Sequence, residues 1–133
     1  MKAIKAKVSH GLQVGSYVET CDNSGAKLIK ITNVRRMKTV KGRRAGAGVG
    51  DLLMGAVKRG KPDMRKQVVF AVLVRQKKEY RRLDGTRIKF EDNAVVVLKD
   101  EDGNPKGTIF KGPIAKESCE RWPGVAKLAR MIV

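Results

Sequence analysis

The chain has 133 residues, with 30 Lys and Arg against 13 Asp and Glu, for a formal net charge of +17. That length suits a single domain, and 41% hydrophobic residues argue against a wholly disordered chain. The longest apolar run, Val68 to Val74, covers seven residues, far short of the roughly 18 needed to cross a bilayer.

The first residues are basic at Lys2, Lys5 and Lys7 but lead into no apolar h-region, so no secretory signal is readable. His10 is the only histidine. Beside Ser9 it is a poor general base, and it reads as a solvent-exposed residue. Strand patterns then follow at Tyr17–Cys21, Leu28–Val34, Asp51–Lys58, Gln67–Gln76, Arg87–Phe90, Ala94–Lys99 and Thr108–Phe110. Asn23-Ser24-Gly25, Asp84-Gly85 and Asp102-Gly103 supply turn chemistry between them. The apolar run reads either as a strand buried on both sides or as a barrel stave, and the strand spacing points to an all-β barrel or sandwich.

Two excursions leave this body. Gly42 to Gly50 is glycine-rich and reads as a flexible loop, while Arg75 to Phe90 reads as a cationic hairpin projecting from the barrel. After Gly112-Pro113 the pattern changes: Ile114–Cys119 reads as a helical turn. Trp122-Pro123 opens a second helix, in which Val125, Leu128, Ala129 and Ile132 recur at helical spacing. That apolar stripe either folds back on the barrel or forms a partner surface of Trp122, Pro123, Val125 and Leu128; both can hold.

Charge is unevenly placed. Residues 1–99 carry a net +16 and residues 100–133 only +1. The excess falls in three groups: Arg35, Arg36, Lys38, Lys41, Arg43 and Arg44; then Lys58, Arg59, Lys61, Arg65 and Lys66; then Arg75, Lys77, Lys78, Arg81, Arg82, Arg87 and Lys89. One such group alone would be an ordinary solvated loop. Three in a chain this short repel one another unless a polyanion neutralises them. Nucleic acid fits, with counterion release supplying most of the binding energy. A membrane surface fits worse, because the groups lie in strand-like sequence and not on a basic amphipathic helix.

Chemistry-bearing patterns fall short. Cys21 and Cys119 stand alone, so neither a disulfide framework nor a zinc ligand set assembles. Gly55-Ala56-Val57-Lys58-Arg59-Gly60-Lys61-Pro62 approaches a Walker A loop, but Pro62 replaces the hydroxyl that would hold magnesium. Gly46-Ala47-Gly48-Val49-Gly50-Asp51 puts Asp51 where a dinucleotide fingerprint needs its third glycine. Asp100-Glu101-Asp102 lacks the spaced oxygens of a calcium loop. Neither a catalytic site nor a cofactor follows. Of six aromatics, Phe70 reads as core, with Tyr17, Phe90 and Phe110 as plausible core. Tyr80 is the candidate for stacking on a base. So few stacking rings favour backbone and shape recognition of folded RNA.

Ala71-Val72-Leu73-Val74, Asp84-Gly85, Phe90, Asn93 and Val96-Val97 occur at the signature spacing of the universal large-subunit ribosomal protein fourteen family. Asp22-Asn23-Ser24-Gly25-Ala26, Gly48-Val49-Gly50-Asp51, Gly107-Thr108 and Gly112-Pro113 are also similar to it, across residues 12–133. The lysine-rich lead-in and Trp122-Pro123 resemble its archaeal and eukaryotic branch. The resemblance implies one domain: a closed five-stranded β-barrel over about residues 12–110, with a projecting basic hairpin, then short helices over 113–133. It implies a non-catalytic, cytoplasmic, ribosomal role: binding large-subunit rRNA and bridging to small-subunit rRNA. Neighbouring ribosomal proteins and initiation factor six are implied partners, with the near-neutral tail facing protein and the three basic groups facing RNA. A free OB-like translation factor or RNA chaperone is the competing reading.

Overall fold

A computed structural model describes residues 1–133. In chain order it contains β1 (Ala6–Lys7), β2 (Leu12–Gln13), β3 (Tyr17–Thr20), β4 (Ala26–Val34), β5 (Gly46–Ala47) and β6 (Leu52–Gly60). There follow β7 (Val68–Arg75), β8 (Tyr80–Arg82), β9 (Arg87–Ile88), β10 (Ala94–Leu98) and β11 (Pro113–Ile114). Helices α1 (Lys116–Arg121) and α2 (Pro123–Leu128) precede a last strand, β12 (Met131–Ile132).

Five strands close into a barrel in the order β10-β3-β4-β6-β7. Its pairs are antiparallel except the seam, where β10 runs parallel to β3 with Ala94 opposite Glu19 and Val95 opposite Thr20. The apolar run of β7 is both things its sequence allowed. Val69, Ala71 and Leu73 fill the barrel with Ile29, Ile31, Leu53, Val57, Val95 and Val97. Val72 and Val74 face outward beneath a second cluster of Leu52, Val96, Leu98, Phe110, Ile114, Cys119, Trp122 and Val125. Side chains alternate across a strand, so a stave with a helical cover reads as continuously apolar. The barrel interior is tightly filled beside β4: a Cβ at Gly55 would lie 2.2 Å from Ile29 Cγ2.

Several expectations are corrected. Thr108–Phe110 is not a strand; only Phe110 bridges Asp22. Side chains of the β3–β4 turn replace the ladder: Asn23 Oδ1 accepts from the Thr108 N–H (2.8 Å) and its amide donates to Thr108 Oγ1 (3.0 Å). Asp22, buried, accepts from the Val97 N–H (2.9 Å) and the Ser24 hydroxyl (2.8 Å). Burial still pushes its carboxyl above the usual carboxylate range.

The C-terminal helices sit differently from their sequence pattern. Pro113-Ile114 is strand, so the first helix starts at Lys116. The second starts at Pro123 and stops at Leu128, because Ala129 is extended (φ −69°, ψ 122°). Met131–Ile132 then pairs parallel with β11, taking Ile132 out of any helical stripe. Gly42–Gly50 is not an open loop throughout: β5 pairs with β2, and Ala47, Gly48, Val49 and Gly50 are buried.

Candidate nucleic-acid interface

The strand register sorts the three basic groups between two ends of the barrel. Arg35–Arg44 leaves β4 after Val34, which is paired with Leu53 at the start of β6. The third group begins at Arg75, where β7 meets the start of β10; the next residue, Gln76, holds the Val49 N–H just ahead of β6 (3.0 Å). Lys58–Lys66 lies where β6 finishes. At about 3.3 Å per residue, the eight steps along β6 from Leu52 to Gly60 separate the middle of the second group from the other two by about 25 Å.

Most of the expected contact residues are exposed. Arg36, Lys38, Lys41, Arg43 and Arg44 are so in the first group, and Lys58, Arg59, Lys61, Arg65 and Lys66 in the second. Lys77, Lys78, Arg81, Arg87 and Lys89 are exposed in the third. Arg35 is half-buried against Glu101 (2.6 Å), and Arg87 approaches Glu79 (3.4 Å). Among these exposed cations of the three groups, Arg87 alone has a carboxylate within 4.0 Å. Arg36, Lys41 and Lys66 are also the chain's non-glycine residues with positive φ (63°, 56° and 65°). Left-handed backbone of this kind costs on the order of 1 kcal/mol per residue, and here it falls only within the basic groups.

Two cations of the third group, and the tyrosine among them, leave the interface. Arg75 is buried, with Nε and Nη2 on the Asp92 carboxylate (2.9 and 3.1 Å) and Nη1 donating to the Lys111 and Pro113 carbonyls (both 2.9 Å). It ties β7 to the segment entering β11. Tyr80 is 1% exposed, and its hydroxyl donates to Glu117 Oε2 (2.7 Å). No face of its ring is open to a base. Burial and the neighbouring carboxylate push its phenol well above the usual range. Arg82 donates from Nε to Glu117 Oε1 (2.7 Å) and from Nη2 to the Val133 carbonyl (2.7 Å). The hairpin of β8 and β9 therefore docks one face on α1 instead of projecting freely. Strand alternation sends Tyr80, Arg82 and Ile88 to that face and Arg81 and Arg87 to solvent.

The expected protein-partner surface is corrected in the same way. Trp122 and Val125 are buried because their helices cover the barrel. Trp122 Nε1 donates to the Gly50 carbonyl (2.8 Å). Its ring lies against Gly103, whose φ of +97° suits glycine and where a Cβ would sit 2.5 Å from Cε3. Pro123 is exposed and Leu128 half-buried. Tyr17, expected in the core, is 56% exposed, with Lys30 Nζ 5.9 Å from its ring centre. It is the aromatic with an open face beside a cation.

Lys7, read from the sequence only as part of a basic lead-in, is a surface cation that joins the third group. It pairs opposite Arg81, and a two-residue strand leaves no periodicity to find. The remaining chemical candidates are quiet. His10 is exposed, with Nδ1 3.5 Å from Asp51 Oδ2. Burial pushes the thiols of Cys21 and Cys119 up to about 11, so neither is a ready nucleophile. The near-Walker segment is strand β6 as far as Gly60, with Gly55 walled in by Ile29, so no phosphate cradle forms there.

Comparison with known proteins accords with this arrangement. The profile of the family described as ribosomal protein L14p/L23e matches residues 11–133. The large ribosomal subunit protein uL14 of Nanoarchaeum equitans is 58% identical over 133 residues, covering all of both chains. The archaeal relative agrees with the branch that the lead-in and the Trp122-Pro123 ending resemble. The chain belongs to the ribosomal protein L14p/L23e family.

Proposed function

We propose that this member of the L14p/L23e family is a non-catalytic constituent of the large ribosomal subunit, anchored there by large-subunit rRNA. One observation carries the reading: three groups of exposed cations, almost without carboxylates in reach, surround a barrel whose acids are largely engaged internally. Such a surface repels itself until a polyanion neutralises it, and phosphate contacts position a protein without reading sequence. Because the second group lies about 25 Å from the others, the barrel can touch two RNA surfaces at once. That separation supports a place at the subunit interface, with one end on large-subunit RNA and the other reaching small-subunit RNA. Protein neighbours, initiation factor six among them, then meet the exposed Pro123 and the half-buried Leu128 of the near-neutral tail, and not the buried Trp122 and Val125.

The test is sedimentation. The chain should stay on the large subunit through a moderate-salt wash, and crosslinks should fall on the three basic groups. Release at that step would point instead to a free OB-like RNA-binding factor.

A further inference from the structure

The small sheet of β1, β8 and β9 sets three cations side by side. Lys7 is opposite Arg81, and Arg81 is opposite Arg87. All three are exposed. Neighbouring strands lie about 4.8 Å apart, so the row is roughly 10 Å long. Like charges directly opposite one another disfavour strand pairing. Glu79, 3.4 Å from Arg87, is the one acid in reach, and it leaves Lys7 and Arg81 without a counter-charge.

The sheet forms nonetheless because its other face is anchored. Tyr80 and Arg82 share the buried carboxylate of Glu117, so the hairpin is held whatever its outer face carries. The edge strand β1 precedes residue 11, where the family match begins. A segment outside the shared profile thus adds a third cation to a hairpin that already has two.

We infer that Lys7, Arg81 and Arg87 form a phosphate-binding row that grips the backbone of one RNA strand, and that β1 completes it. This rests on the RNA-binding role proposed above. Two guanidinium forks can each take a phosphate through paired hydrogen bonds, and the lysine adds a point charge at the row's end. The row itself carries no aromatic side chain, so it holds backbone and leaves base identity unread. RNA is favoured over an acidic protein because the basic groups elsewhere on the barrel extend the same field.

The test uses the full chain and purified large-subunit rRNA, with affinity followed across a range of salt. Lys7→Gln should lower the log–log salt slope by about 0.7–0.9, and K7Q/R81Q/R87Q by roughly 2–2.7. In the absence of RNA and at low salt, the triple variant should melt higher than the parent, since repulsion across the sheet is relieved. An unchanged slope in both variants, with the parent binding normally, would overturn the row while leaving RNA binding intact. Failure of the parent to bind would overturn the proposed function itself. Should the triple variant melt lower, Lys7→Gln, at the far edge from Glu117, decides the matter by its slope alone. Displacement of the RNA by polyglutamate at equal charge would assign the row to an acidic protein and sink the inference.

Discussion

Arg35–Arg44 and Lys116–Leu128 are short charge-bearing stretches, and they do opposite things. The first holds six cations and no acid; five of the six are exposed and Arg35 is half-buried. The second mixes both signs and uses its charges internally: Glu117 on Arg82, Arg121 on Asp51 (3.4 Å), Lys116 toward Glu120 (3.9 Å). Its Cys119, Trp122 and Val125 complete the outer core. A balanced stretch can build structure, because each ion finds a partner as it is covered. A stretch of one sign has no such option and must stay where a foreign anion can reach it.

That contrast can be broken most directly at Trp122. Trp122→Ala should cost about 3–5 kcal/mol in urea unfolding, with the salt slope of RNA binding unchanged wherever the variant is folded. A small cost would mean that α2 is not part of the core. Next in size is Glu117→Gln, which leaves the half-buried Arg82 without its counter-charge and should cost about 3 kcal/mol. The measurement is the same, and near-neutrality would detach the hairpin from the helices.

Alkali sharpens the comparison on the covered side. The Cys21 thiol sits at about 11 in the fold, against 9.0 for an ordinary thiol. The folded state therefore holds this proton more tightly than the unfolded one. Its contribution is complete below pH 9 and is lost as pH rises toward 11, at about 1.4 kcal/mol per pH unit. Cys21→Ala should flatten that part of the stability profile; equal slopes in the two proteins would show that the thiol is not shielded. The smallest stability effect belongs to the loop. Replacing Arg36, Arg43 and Arg44 together with Ala should change stability by no more than about 0.5 kcal/mol. The same variant should lower the RNA salt slope by about 2–2.7. A large stability loss with an unchanged slope would reverse the roles of the two stretches.

The barrel was legible because its strands carry short apolar runs and its turns carry glycine at the right places. The fate of individual cations was not. Arg81 and Arg82 are identical as letters, yet one faces solvent and the other Glu117, a residue 35 positions later. Tyr80 looked like a stacking ring because its sequence neighbours are cations; what it packs against comes from α1. Ile132 shares helical spacing with Val125 and Leu128, but no glycine cap marks the stop at Leu128. The pairing of β12 with β11 is a tertiary event that local pattern does not record. Lys7 was legible only as part of a basic lead-in, since its significance lies in a partner strand.

The parallel seam between β3 and β10 has a consequence for how the chain reaches this state. Thr20 and Val95 must find each other across most of the polypeptide, and pairings so distant in sequence are slow to form. While β10 is still unpaired with β7 as well, the run from Val68 to Val74 has a bare margin of the sort that recruits other chains into aggregates. Arg65 and Lys66 stand just before that run, and Arg75, Lys77 and Lys78 stand at its end or just beyond it. Flanking ions of one sign keep two such margins apart. Arg75 apart, the same residues that make the finished molecule sticky toward RNA thus act as gatekeepers while it is still half-made.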